Sequence, residues 1–271
     1  SRKKVGIIKY CSKSMSQILG YSSDYLMGKN ISMIMPKYFS ERHDGFILDY
    51  LDTGKEANLF GKREYYALTN EEVTVPIKLT IQIQAGSDLG YYFVSRVQPI
   101  PPHFEQIVID SRTNKIVCMT PRICNKLGVP NKYDLDLEIS EICPTFEQTV
   151  IYELDSILEM KGLEISKENK NSLRKVLDTK TVAVKEAINS LAKIKMMIEL
   201  QPPNQEKNFI HAECYVKVWK IRNGEEMIIC ILENFSNITN ALRGGMSPTN
   251  MAKYRIQCNS SSGRSSTFLL K

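Results

Sequence analysis

Long apolar runs are missing from this chain of 271 residues. The longest, Met227 to Leu232, falls far short of the roughly 18 residues that span a bilayer, so no segment is expected to cross one. A charged-then-apolar leader is missing too, and the chain starts at Ser1 rather than Met, which reads as a piece of a longer polypeptide. The seven cysteines are odd in number and contain neither a Cys-x-x-Cys pair nor a Cys/His cluster, which argues against a structural zinc site. Scattered through apolar patterns, they fit a reducing compartment, where buried Cys acts as a small hydrophobe. Concentrated charge is scarce as well: the net +6 is dispersed, and the one tight basic group, Arg2-Lys3-Lys4, sits at a terminus. That pattern describes a solvated surface and gives no support for nucleic-acid or acidic-membrane binding. No glycine-rich phosphate loop and no His-Glu-x-x-His motif appears, and His103 and His211 have no evident carboxylate partners in sequence. No catalytic residue is assigned, and the chain is not expected to be an enzyme.

What the chain does have is an internal repeat. Ile31-Ser32-Met33-Ile34-Met35-Pro36 returns as Ile139-Ser140-Glu141-Ile142-Cys143-Pro144, an offset of 108 residues. Carried upstream without a gap, the same offset pairs Leu19-Gly20 with Leu127-Gly128 and Ile8 with Ile116. An unbroken register of this kind predicts two copies of one structural unit. The length allows it, since 271 residues suffice for two domains that each bury a core.

In the first copy, Val5–Tyr10 is β-prone. Ser12-Lys13-Ser14 caps a helix carrying Met15, Ile18 and Leu19, and Gly20 closes it. Ser22-Ser23-Asp24 caps a second short helix, Ile31–Met35 forms a third, and Phe46, Ile47, Tyr50 and Leu51 recur at helical spacing up to Thr53-Gly54. The period then changes to alternation. Arg63–Leu68, a strand over Ile77, Leu79, Ile81 and Ile83, and Tyr91–Val97 read as three antiparallel strands. Together these predict an α+β domain with short helices on one face of an antiparallel sheet.

The residues Gly6-Ile7-Ile8, Leu19-Gly20-Tyr21-Ser22, Gly28-Lys29-Asn30-Ile31, Met35-Pro36, Arg42-His43-Asp44-Gly45 and Val75-Pro76-Ile77-Lys78-Leu79, with their spacings, resemble a PAS domain, a small sensory and interaction fold. The resemblance runs from about Val5 to Val97. It implies two PAS-like domains of about five strands each, at residues 1–98 and 104–239, and an opening strand in the first copy that is cut off or poorly represented. The first copy also resembles PAS sensor domains of oxygen-sensing histidine kinases and PAS modules on the cytoplasmic side of large multi-pass membrane proteins of protists. That likeness makes membrane tethering of a full polypeptide a hypothesis, without membrane contact by this segment.

Pro99-Ile100-Pro101-Pro102 predicts a stiff linker over 99–103. Phe104–Asp110 and Lys115–Met119 then read as the opening hairpin of the second copy, and Ile210–Lys220 and Met227–Leu232 as its final strands, joined through Asn223-Gly224. Between Pro144 and these strands lies a surplus, a helical insert expected over 145–203. In it Leu177, Val184, Leu191 and Ile198 fall seven residues apart, a coiled-coil spacing. Two readings stay open: a contact with another subunit or protein partner, or an insert packed on its own domain. Residues 240–271 are rich in Ser, Gly and Asn and read as a flexible tail.

The PAS resemblance raises one cofactor question. In the haem-binding relatives the proximal ligand lies in a similar Arg-His-Asp context, followed twenty residues later by a haem-contacting arginine. His43 and Arg63 match that spacing, so haem held by His43 with Arg63 is one implied reading. Asp49 and Ala57 depart from the pattern, and a structural histidine is the other reading. A flavin adduct is not expected, because the reactive thiol of the light-sensing relatives is replaced by Ile31 here and by Ile139 in the second copy. The sequence thus points to a non-catalytic sensory or protein-interaction segment of an intracellular, cytoplasmic signalling protein. A haem-based gas sensor and an architectural subunit are the alternatives.

Overall fold

Capping chemistry starts the first helices where the sequence places them. The hydroxyl of Ser12 accepts from the Met15 N–H at 3.3 Å and that of Ser22 from the Tyr25 N–H at 3.2 Å. A computed structural model describes residues 5–54, 63–85, 90–100, 105–129, 136–179, 181–203, 209–220, 226–237 and 266–270. Among them the first unit begins with β1 (Ile8–Cys11), α1 (Lys13–Leu19), α2 (Ser23–Leu26), a 3-10 turn at Ile31–Ile34, and α3 (Lys37–Thr53). Gly20 closes α1 and Gly54 closes α3, both in the left-handed region that glycine adopts without a Cβ penalty. Three strands follow: β2 (Arg63–Leu68), β3 (Thr74–Ala85) and β4 (Tyr91–Pro99).

The second unit opens with the hairpin β5 (Glu105–Asp110) and β6 (Ile116–Met119), followed by α4 (Pro121–Leu127), α5 (Ile139–Ile142) and α6 (Phe146–Glu159). Then come α7 (Leu173–Asp178), α8 (Val182–Leu191), β7 (Met196–Leu200), β8 (Ile210–Lys220) and β9 (Glu226–Asn237). A final strand, β10 (Ser266–Leu270), returns to the first unit, so that residues 5–100 with 266–270 form one compact unit and 105–237 the other.

Among the described residues each unit carries one five-stranded antiparallel sheet, in the orders β1-β10-β4-β3-β2 and β6-β5-β9-β8-β7. The α+β class expected from the sequence is the class found. Each unit also has its own apolar core. Met15, Leu19, Leu26, Ile34, Ile47, Ile77 and Phe93 are buried in the first, and Ile107, Ile123, Leu127, Ile142, Phe146, Leu154 and Leu191 in the second.

The 108-residue offset holds for backbone geometry. β1 and β6, α1 and α4, and the 3-10 turn and α5 start and end at equivalent positions. Gly6 and Asn114 both have positive φ, at 71° and 57°. The Ile31 N–H donates to the Gly6 carbonyl and the Ile139 N–H to the Asn114 carbonyl, at 2.8 and 2.9 Å. One further pair repeats: the N–H of Ile8 donates to Lys29 O at 2.9 Å, and that of Ile116 to Leu137 O at 2.8 Å.

Three expectations need correction. The 99–103 linker is too long at its start, because Pro99 ends β4 opposite Ile77 and the Ile100 N–H donates to Pro76 O at 3.0 Å; residues 101–103 lie outside the described residues. The 240–271 tail contains β10, since Ser-Thr-Phe-Leu-Leu is β-prone once two strands offer it hydrogen bonds. The helical insert 145–203 is not wholly helical: Met196, Ile198 and Leu200 are buried and alternate with exposed Met197 and Glu199, the pattern of β7. In the first sheet the lane between β1 and β4 is held by β10. The Asn223-Gly224 turn lies outside the described residues.

Candidate functional site

The Arg-His-Asp motif sits on α3, whose outer face is exposed and whose Tyr50 packs edge-on against Phe93 of β4, ring centroids 5.9 Å apart. Asp44 is the anchoring member. Its carboxylate accepts from Asn30 Nδ2 at 3.1 and 3.0 Å. Asn30 in turn donates to the Val5 carbonyl at 3.2 Å and accepts from the Ser32 N–H at 2.8 Å. One amide therefore ties α3, the 3-10 turn and the entry to β1. Gly6 is needed at that junction: at φ 71° an added Cβ would lie 3.0 Å from Asp44 Oδ1.

Arg42 is engaged within its own helix. Its Nη1 donates to the Tyr38 carbonyl at 2.9 Å, and the guanidinium lies 3.9 Å from the centre of the Tyr38 ring. His43 is different. Its Nδ1 is buried without a hydrogen-bond partner among the described residues, 3.9 Å from Asp44 Oδ1. Burial pulls the imidazole pKa below its ordinary value, partly opposed by the Asp44 carboxylate, so the ring is held neutral. A neutral imidazole with an unsatisfied nitrogen is what an iron ligand requires, and to that extent His43 fits haem. Arg63 opens β2 opposite Leu79; its side chain, like Ala57, lies outside the described residues. The described geometry therefore joins His43 to Asp44.

The coiled-coil reading of the heptad is overturned. Leu177 lies on α7, Val184 and Leu191 on α8, and Ile198 on β7, so no single helix carries all four. Thr181 caps a fresh helix, its hydroxyl accepting from the Val184 N–H at 3.4 Å. All four side chains are buried in the core of the second unit, which is the alternative of an insert packed on its own domain.

Sequence reasoning also missed polar pairs that only folding brings together. His211 does have a carboxylate neighbour: it pairs with Glu199 across β7 and β8, Nδ1 to Oε1 3.6 Å, while its Nε2 is buried and unpartnered. Glu105 is buried at the start of β5, accepts from Thr120 Oγ1 at 2.5 Å and lies 3.8 Å from Arg122 Nη1; burial raises its pKa. The six described cysteines are free and buried. Burial pushes the thiols of Cys124 and Cys143 up to about 12, so neither offers a thiolate nucleophile near neutrality. Among the described residues no group of three or more His, Cys, Asp or Glu could hold a metal ion, and no helix is long and apolar enough to cross a membrane.

Two solved structures are similar in part. An RNA-binding light-oxygen-voltage receptor is 10% identical, with 58% of this chain and 35% of that chain covered and a TM-score of 0.21. A crystal structure of an uncharacterized protein from Mycobacterium tuberculosis is 11% identical, with 80% and 57% covered and a TM-score of 0.25. This chain thus spans less than two thirds of either. The family model described as PAS domain matches residues 3–95, and with the sheet and helices described above, a PAS domain is found in the first unit of this chain.

Proposed function

We propose that the chain is a non-catalytic regulatory segment made of two PAS-type modules, the second enlarged by α7 and α8, within a larger intracellular signalling polypeptide. It binds a protein partner, a second copy or a small ligand, and passes the resulting shift to whatever is attached. The observation that carries this reading is the PAS match over residues 3–95 together with the backbone hydrogen bonds that recur 108 residues later in the second unit. The unpaired, buried cysteines support a reducing, cytoplasmic setting. The test is to replace the chain by a flexible linker in the polypeptide that carries it. A regulatory segment leaves basal output in place and removes its response to stimulus; collapse of the assembly instead would favour an architectural role.

A second reading, a haem sensor, has one observation in its favour: the buried, unpartnered Nδ1 of His43. Its test is spectroscopic: a Soret band that appears when the chain is incubated with haem and is lost in His43→Ala.

A further inference from the structure

The lane between β1 and β4 is filled from an unexpected place. In the second sheet the equivalent lane, between β6 and β9, is taken by β5, which leads into β6 through the short turn after Asp110. In the first sheet it is taken by β10, which follows the whole second unit in sequence and lies outside the residues matched by the PAS model. The two lanes nevertheless agree residue for residue. On one side Leu270, Leu269 and Phe268 pair with Ile8, Tyr10 and Cys11, and Ile109, Val108 and Ile107 pair with Ile116, Cys118 and Met119, each with a register shift at the same step. On the other side, Ser266 to Leu270 pair with Val97 to Phe93 without interruption, as Glu105 to Ile109 pair with Leu232 to Ile228. Phe268 and Leu270 hold the register positions of the core residues Ile107 and Ile109. Among the described strands β1 joins the sheet only through β10.

We propose that this lane is a strand-acceptor site whose ligand is an extended, apolar-rich peptide, and that the chain supplies that ligand from its own residues 266–270 after the second unit. Main-chain hydrogen bonds to β1 and β4 give such a docked strand its affinity, and the residues at alternate register positions give it selectivity. Among the described strands, β1 and β4 would each present an open edge without it. Because the strand is not continuous with β1, it can leave and be replaced.

The whole chain tests this by hydrogen exchange over residues 8–11 and 93–97, with the variant Phe268→Pro and a synthetic peptide of residues 264–271 as the probe. Proline removes a ladder donor, and the expected result is exchange about tenfold faster in both segments, returned to the unmodified rate by excess peptide. Unchanged exchange in the variant, or no rescue by the peptide, would overturn the proposal. A second measurement does not depend on the proline variant. In Ser95→Cys with Phe268→Cys the two thiols are register partners, and mild oxidation is expected to give a cross-link within one chain. No cross-link would overturn the docking, and a cross-link between two copies would overturn delivery from the same chain.

Discussion

The backbone N–H of Ile31 donates to the carbonyl of Gly6 at 2.8 Å, closing the 3-10 turn onto the entry of β1 while Gly6 sits at φ 71°. Asn114, at φ 57°, takes the same role for Ile139. Asn tolerates the left-handed region and Gly occupies it freely. Gly6→Ala is therefore expected to cost about 1–2 kcal/mol, from the positive φ and from the new Cβ pressed against Asp44. Urea unfolding of the first unit reads this directly; an unchanged midpoint would remove Gly6 from the junction.

The burial of Leu191 decides between a core and an interface. Leu191→Ala is expected to destabilise the second unit by about 2–5 kcal/mol, whereas Val182→Ala, on the exposed side of the same helix, should change little. Neither should alter the oligomeric state measured by light scattering. Dissociation of an oligomer by Leu191→Ala alone, with unfolding unchanged, would restore the partner-contact reading.

His43 gives a pH dependence whose sign follows from its lowered pKa. The unfolded chain binds the proton more readily than the folded one, so this residue's contribution is intact above the ordinary histidine pKa. It is lost as pH falls from that value through the lower folded one. Stability should decline as pH falls below the ordinary histidine pKa of about 6.5, and His43→Gln should flatten that part of the profile. An identical profile in the variant would mean that His43 is not held neutral by the fold.

For the haem alternative, the regulatory account expects purified chain incubated with haem to show no new Soret band and His43→Ala to leave the spectrum unchanged. A band that appears with the unmodified chain and vanishes in the variant would establish the haem reading.

Local signals were the legible ones. Ser12, Ser22, Gly20 and Gly54 mark helix ends by chemistry that acts within a few residues, and the alternation through Ile77 and Leu79 marks β3. The repeat was legible because Gly20 and Gly128 both end a helix in the left-handed region, and Ile31–Ile34 and Ile139–Ile142 both bury their isoleucines from one short helical turn. Leu177, Val184, Leu191 and Ile198 misled because only the step from Val184 to Leu191 is two turns of one helix; the steps on either side cross a helix cap and enter a strand. The Asn30–Asp44 tie and the Glu199–His211 pair join residues distant in sequence, and no local pattern announces them. β10 is five residues long in a serine-rich stretch, too short for periodicity to separate from its surroundings.

Amide hydrogen exchange at Ile31 and Ile139, resolved residue by residue, tests the two-module account most directly. Both N–H groups are hydrogen-bonded to the positive-φ residue two positions before β1 or β6, so the account expects both to exchange slowly, together with Ile8 and Ile116. Slow exchange at Ile31 with free exchange at Ile139 would mean that the second unit does not repeat the first.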